Sequence, residues 1–116
     1  MEPIFDRNGR TVGWLTQGRV LNRNSQTIGV IHGGAVFDNA GRQRGRYESG
    51  YFRDLHGSAV AFTRGATGGP VPPVPEVPPV PPVPSVPPVP AVPQVPAVPA
   101  IPSFSWATGT FESVFA

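Results

Sequence analysis

Apolar and polar positions in the first 66 residues recur every sixteen. Ile4, Val20, Val36 and Phe52 form one apolar column. Val12, Ile28 and Val60 form a second, interrupted by Arg44; Trp14, Val30 and Phe62 form a third, interrupted by Arg46. Asp6, Asn22, Asp38 and Asp54 stand sixteen apart, and so do Gly9, Ser25, Gly41 and Gly57. Gly13, Gly29, Gly45 and Ala61 keep the same step, as do Gly18, Gly34, Gly50 and Ala66. The units are 3–18, 19–34, 35–50 and 51–66. Self-similarity at a fixed period sets the architecture before any single residue does.

Each unit predicts a β-hairpin. A short β-rich run such as Ile4-Phe5 comes first. A four-residue turn follows: Asp6-Arg7-Asn8-Gly9, Asn22-Arg23-Asn24-Ser25, Asp38-Asn39-Ala40-Gly41 and Asp54-Leu55-His56-Gly57. Asp or Asn at the first turn position bonds the backbone two residues on, and Gly at the fourth accepts left-handed geometry. An alternating strand then runs to a second Gly-marked turn. No window of this body keeps a 3.6-residue period, so no helix is predicted there. A lone hairpin is unstable in water, so the four must bury one another's apolar faces. The predicted fold is all-β, with four 16-residue hairpin repeats in a pseudo-four-fold arrangement. The small column at Gly13, Gly29, Gly45 and Ala61 marks close backbone approach. It is placed near the axis, with the hairpins radiating like petals.

The recurring φ-φ-Asp-x-x-Gly-x-x-φ-Gly unit, four times over residues 3–66, resembles the bacterial four-fold β-flower proteins. Members of that family can carry a proline-rich C-terminal segment and a short aromatic end. The resemblance implies a fold and leaves the activity open. The chain departs from its own repeat at Arg44 and Arg46 in unit three. It departs again at Arg53, in the column of Phe5, Leu21 and Phe37.

Residues 71–102 change character entirely. The triplet Val-Pro-x is written eleven times, with Ile101 in place of the last valine. Proline fixes φ near −65° and biases its predecessor towards extended geometry, which predicts a polyproline II rod. Three residues per turn put every valine on one edge. At about 3.1 Å per residue the rod would reach on the order of 100 Å. A 64-residue body is roughly 30 Å across. A straight rod would therefore lie against its own body over a third of its length at most, and the rest would project, bundle with other rods or lie on a partner. Such a rod is a spacer or a ligand for an aromatic groove. The basic residue that orients many such ligands is missing. A valine at every third place is either a contact edge or the trace of a simple repeat expansion.

Residues 103–116 hold Phe104, Trp106, Phe111 and Phe115, a composition that reads as a docking segment rather than a disordered tail. A partner groove, a neighbouring copy or the underside of the flower could receive it. Gly109 argues against one long helix. The expected division is a four-repeat β domain at 1–66, a Gly joint and rod at 67–102, and an aromatic end at 103–116.

Length and charge narrow the function. A 66-residue body buries only about 60% of its unfolded surface and is marginal alone. There is no cysteine, so no disulfide or thiolate metal site. The opening shows no basic and apolar leader pattern, and no run of 18 apolar residues exists. The cytoplasm is the expected location, with signal-less export left open. All nine basic residues are arginines within residues 1–64, against five acidic residues there, giving the body +4.

Candidate chemistry is sparse. Arg42, Arg44 and Arg46 alternate along one strand, which predicts a guanidinium ridge on one face, suited to phosphate or carboxylate. Charge protecting an exposed edge strand explains the same residues. With little aromatic interleaving, nucleic acid is not the expected partner. Asp6, Asn22, Asp38 and Asp54 carry oxygens that suit calcium, but turn chemistry accounts for them without metal. Asp54, His56 and Ser58 spell the letters of a hydrolase triad at a spacing that cannot align them. Trp14, Tyr47, Tyr51 and Phe62 could bind a glycan, and core packing explains them at less cost. No catalytic site, cofactor or metal is expected. The expected function is a non-catalytic interaction or scaffold protein, with a protein partner and self-association through the tail. The alternative is a small arginine-rich module for an anionic polymer.

Overall fold

Each Asp-x-x-Gly turn is built by its own first residue. The Asp6 carbonyl accepts from the Gly9 N–H at 3.0 Å. Asp6 Oδ1 accepts from the N–H groups of Asn8 and Arg10 at 2.9 and 3.0 Å. Asn22, Asp38 and Asp54 repeat this set in their own turns. The fourth residue is left-handed, from φ 62° at Ser25 to 87° at Gly57. A residue with a Cβ pays roughly 1–2 kcal/mol there, which is why glycine fills three of the four places. Beyond each turn the pairing shifts by one residue, between Ile4 and Phe5, Val20 and Leu21, Val36 and Phe37, and Phe52 and Arg53. Such a shift bends the strand and raises its twist.

The computed structural model describes residues 1–84, 87 and 91–115. Among them are eight strands: β1 (Glu2–Phe5), β2 (Thr11–Thr16), β3 (Arg19–Asn22), β4 (Thr27–His32), β5 (Ala35–Asp38), β6 (Gln43–Glu48), β7 (Tyr51–Arg53) and β8 (Ala59–Phe62). All neighbours pair antiparallel, and β8 returns to β1 through Phe5 and Phe62, closing a barrel. The hairpins therefore do not stand apart as petals. Four repeated bends curl the sheet until its edges meet, and closure removes unpaired edges.

The barrel interior explains the small column. Ile4 pairs with Gly13, Val20 with Gly29, Val36 with Gly45 and Phe52 with Ala61. A large side chain thus sits beside a small one in every unit, which lets the interior of a small barrel fill. A Cβ at Gly13, Gly29 or Gly45 would fall within 3.0 Å of the backbone oxygen of Leu21, Phe37 or Arg53. Ile4, Val20, Val36, Phe52, Val60 and Phe111 form one buried cluster, with Leu15, Ile31 and Tyr47 packed against it. The opposite face of the short strands is buried as well, at Phe5, Leu21, Phe37 and Arg53.

Phe111 comes from the C-terminal end. It opens a one-turn helix, α1 (Phe111–Val114), capped by reciprocal bonds between Thr110 and Ser113. Its ring meets Phe52 edge-on at 5.7 Å and Phe115 at 5.4 Å. Glycine beneath makes room: a Cβ at Gly29 would come 2.8 Å from the Phe115 ring. The Ser105 carbonyl accepts from Ala59 N–H and the Ala107 N–H donates to the Ala59 carbonyl. These bonds fill the side of β8 that its single pair with β1 leaves open.

The described residues of the Val-Pro-x segment, 71–84, 87 and 91–102, do not project. The molecule measures 36 × 36 × 21 Å, far short of a free rod of on the order of 100 Å. Instead the segment passes the turns in order. Glu76 N–H donates to the Gly9 carbonyl at 2.8 Å, Gln94 N–H to that of Gly41 at 2.8 Å, and Ser103 N–H to that of Gly57 at 3.0 Å. Glu76 to Gln94 is two steps of nine residues and Gln94 to Ser103 is one, so nine residues of this belt match each sixteen-residue unit. At about 3.1 Å per residue four such steps span roughly 110 Å. A circle 36 Å in diameter has a circumference of about the same length. The expectation of projection failed because it compared a straight rod with a diameter, when the chain follows the perimeter. Ser85, the remaining nine-residue step, and Val86, Pro88, Val89 and Pro90 lie outside the described residues.

Candidate functional site

The belt and its fastenings are the best-built feature outside the core. Its amides meet turn carbonyls, and two side chains reinforce them. Glu76 Oε1 accepts from Thr11 N–H at 2.8 Å, and the buried Gln43 Oε1 accepts from Ala97 N–H at 2.6 Å. The bond from Thr11 holds the Glu76 carboxyl below its ordinary value; slight burial opposes this, and Arg23 and Arg10 assist.

Arg53 fastens both ends. It is 4% exposed and occupies a column that holds Phe5, Leu21 and Phe37 in the other units. One terminal nitrogen donates to the carbonyls of Gly57 and Ser103, each at 2.7 Å. The other donates to the Gly68 carbonyl at 2.9 Å. Gly68 precedes the belt and Ser103 follows it, so one guanidinium joins its start to its finish. Tyr51 lies beneath, with the Arg53 guanidinium carbon 5.5 Å from the ring centre. Its hydroxyl donates to the Pro70 carbonyl. Burial raises the Tyr51 pKa, and the charge of Arg53 offsets part of that rise.

With its backbone turned to the barrel, the belt turns its described valines outward. Val71, Val74, Val77, Val80, Val83, Val92, Val95, Val98 and Ile101 are 88–93% exposed. Glu76 is the single charged residue of the segment, so this edge is apolar and uncharged.

The three sequence-predicted arginines do not form one free ridge. Arg44 Nε lies 2.8 Å from Asp38 Oδ2, with Arg42 Nε at 3.7 Å from the same oxygen. Arg46 Nε lies 3.0 Å from Glu48 Oε1. Burial would raise the Asp38 pKa, but bonds from the Arg44 side chain and the N–H groups of Arg42 and Ala40, with the Arg44 charge, bring it below its ordinary value. The turn residues Asp6, Asn22, Asp38 and Asp54 each engage Oδ1 within their own turn.

The aromatic end is divided. Trp106 packs on Tyr51 and Phe62 at 6.2 and 6.1 Å. Phe111 is buried in the barrel with Phe115 against it. Phe104 alone among the four is turned out, at 74% exposed. The residues that fasten the belt, Glu76, Gln94, Ser103, Gln43 and Arg53, were not among the candidates. A signal was present: of the third-place residues, the polar ones are Glu76, Ser85, Gln94 and Ser103, each nine from the next.

A closed barrel of four hairpin repeats, encircled by its own C-terminal chain, is the class these elements define. A sequence model described as the 4-fold beta flower protein matches residues 2–115. The chain belongs to that family, and the match takes in the belt and the aromatic end as well as the repeats. No curated protein and no solved structure matches the chain. No helix among the described residues is long and apolar enough to cross a membrane.

Proposed function

We propose that the protein is a non-catalytic interaction scaffold whose working surface is the apolar rim of the belt. One observation carries this reading. The belt is attached through backbone amides, and its valines contribute nothing visible to that attachment, yet eight of them and their isoleucine equivalent at 101 share an outward edge. Barrel attachment alone would be served as well by polar residues there. Exposed apolar surface of this extent marks interaction sites. Arg44 and Arg46 are paired with Asp38 and Glu48 and only Arg42 is largely exposed, which favours the scaffold reading over a module for anionic polymers.

The test uses the full chain, because Phe111 belongs to the core and a truncation would remove it. Serine replaces the outward valines while the prolines and polar anchors stay. Specific partners captured by the wild type are expected to be lost from the variant at unchanged melting temperature. Equal recovery of the same partners would overturn the proposal.

A further inference from the structure

The geometry points to a partner class: the arc of the belt at residues 77–84 is a docking site for a protein with an uncharged, aromatic-lined groove that reads proline-rich chain. This inference rests on the scaffold reading and names its partner. Three observations lead to it.

The first is which edges are free. In residues 77–84, Val77, Pro79, Val80, Pro82, Val83 and Pro84 are exposed, while Pro78 and Pro81 are half-buried. Two edges of a three-edged chain thus face solvent. A groove that reads Pro-x-x-Pro sequences needs alternate ridges, and not the whole circumference. In residues 95–102 every residue but the half-buried Ala100 is exposed.

The second is charge. Past Glu76, residues 77–103 carry no charged side chain. The Glu76 carboxylate accepts from Thr11 N–H on the barrel. An anionic lipid surface or a nucleic acid would have no cation to meet on this edge. A groove that depends on an acidic rim to orient a basic ligand would gain nothing from that rim.

The third is curvature. The rim is convex with a radius of about 18 Å, half the 36 Å extent. Valines three residues apart are spaced at roughly 9 Å. Two such rims pressed together approach closely over only about 12 Å, which engages one or two valines on each. That is far below the roughly 800 Å² per partner of a stable interface. A second copy is therefore a poor occupant. A groove closes around the flanks of the chain and does not require a flat face. The nine residues between anchors span about 28 Å, room for two turns of Pro-x-x-Pro, about 19 Å. The chain is already ordered, so binding costs less entropy than it would for a free peptide.

The experiment titrates the full-length protein with two probes, an isolated WW domain and an isolated SH3 domain, and follows the tryptophan fluorescence of each groove. Saturable binding of the WW domain is expected, with weaker or no binding of the SH3 domain because the orienting basic residue is absent. The full-length variant Val77→Ser/Val80→Ser/Val83→Ser should weaken binding at that arc at least tenfold and keep its melting temperature. Pro79→Ala/Pro82→Ala provides a second variant on the same exposed edges and should also weaken it. Failure of both probes, or equal affinity of both variants and wild type, overturns the inference. Valine-dependent self-association in light scattering without probe binding assigns the edge to a second copy instead. If the probes fail while the valine-to-serine protein still loses its captured partners, the scaffold reading stands and the groove falls.

Discussion

The guanidinium of Arg53 lies 2.7 Å from the carbonyl oxygen of Ser103, fifty residues away. The same side chain holds Gly68 at the other end of the belt. A buried cation bonded to three carbonyls thus takes the place that an aromatic or leucine fills in the other units. Charge-assisted bonds of this kind each contribute about 1.5–3 kcal/mol and do not add fully, while an apolar replacement recovers some desolvation. Arg53→Leu should therefore lower the unfolding free energy by about 2–4 kcal/mol in urea, with faster hydrogen exchange at Ser103 N–H. A neutral result would show that apolar filling of the column matters and the fastening does not.

Glycine at the fourth position of an Asp-x-x-Gly turn serves two purposes, and comparison with Gly33, in the turn between β4 and β5, separates them. At Gly41 the backbone is left-handed, and a Cβ would strike the Val92 carbonyl. At Gly33 the backbone is also left-handed, but nothing lies within 4 Å of a Cβ. Gly33→Ala should cost only the conformational penalty, about 1–2 kcal/mol. Gly41→Ala should cost more and should also increase proteolysis within residues 91–100. Equal losses of stability, with the belt still protected, would show that the close approach at Gly41 carries no weight.

The aromatic end supplies a paired test. Phe111 is 1% exposed within the barrel cluster, and Phe104 is turned to solvent. Phe111→Ala should destabilise by about 3–5 kcal/mol, as large core truncations do. Phe104→Ser should stay within about 0.5 kcal/mol, as surface changes do. Thermal melts of the two variants decide this; a stable Phe111→Ala protein would mean the tail is not part of the core.

Stability should decline at both ends of the pH range. Asp38 and Glu76 titrate below their ordinary 3.8 and 4.5 in the folded state. Their ionised forms favour folding, a contribution complete above those ordinary values and lost as pH falls through the lowered ones. Tyr51 titrates above its ordinary 10.0, so its neutral form favours folding up to that value and the benefit is lost at higher pH. Urea midpoints measured from pH 2 to 11 should fall below about pH 4 and above about pH 10. Asp38→Asn and Glu76→Gln should flatten the acid limb. An unchanged acid limb in the double variant would place the sensitivity in other carboxyls.

Much of the fold was legible because local chemistry dictates it. Asp6 and Gly9 write the same turn that Asp38 and Gly41 write, and a period of sixteen brings hairpins of equal length side by side. Closure was not legible. It depends on bends at Ile4–Phe5 and its three equivalents adding up to a full circle, a sum over the whole sheet that no single unit carries. The arginines show the same limit: alternation puts Arg44 and Arg46 two apart on a strand, but their carboxylates, Asp38 and Glu48, are selected by side-chain direction and burial.

The proline-rich segment marks the boundary most clearly. By itself, the Val-Pro-x triplet determined an extended chain with one valine edge, because proline restricts the backbone locally. The same sequence also carries the nine-residue step from Glu76 through Ser85 to Gln94 and Ser103. That step has meaning only when the barrel's perimeter is known, since it matches a length of chain to a distance around a folded object. Only the tertiary structure decided that the segment encircles the barrel, that Arg53 joins its ends, and that Phe111 completes the core. Hydrogen bonds from Glu76 to Gly9 and from Gln94 to Gly41 join residues more than fifty positions apart, where local preference has no reach.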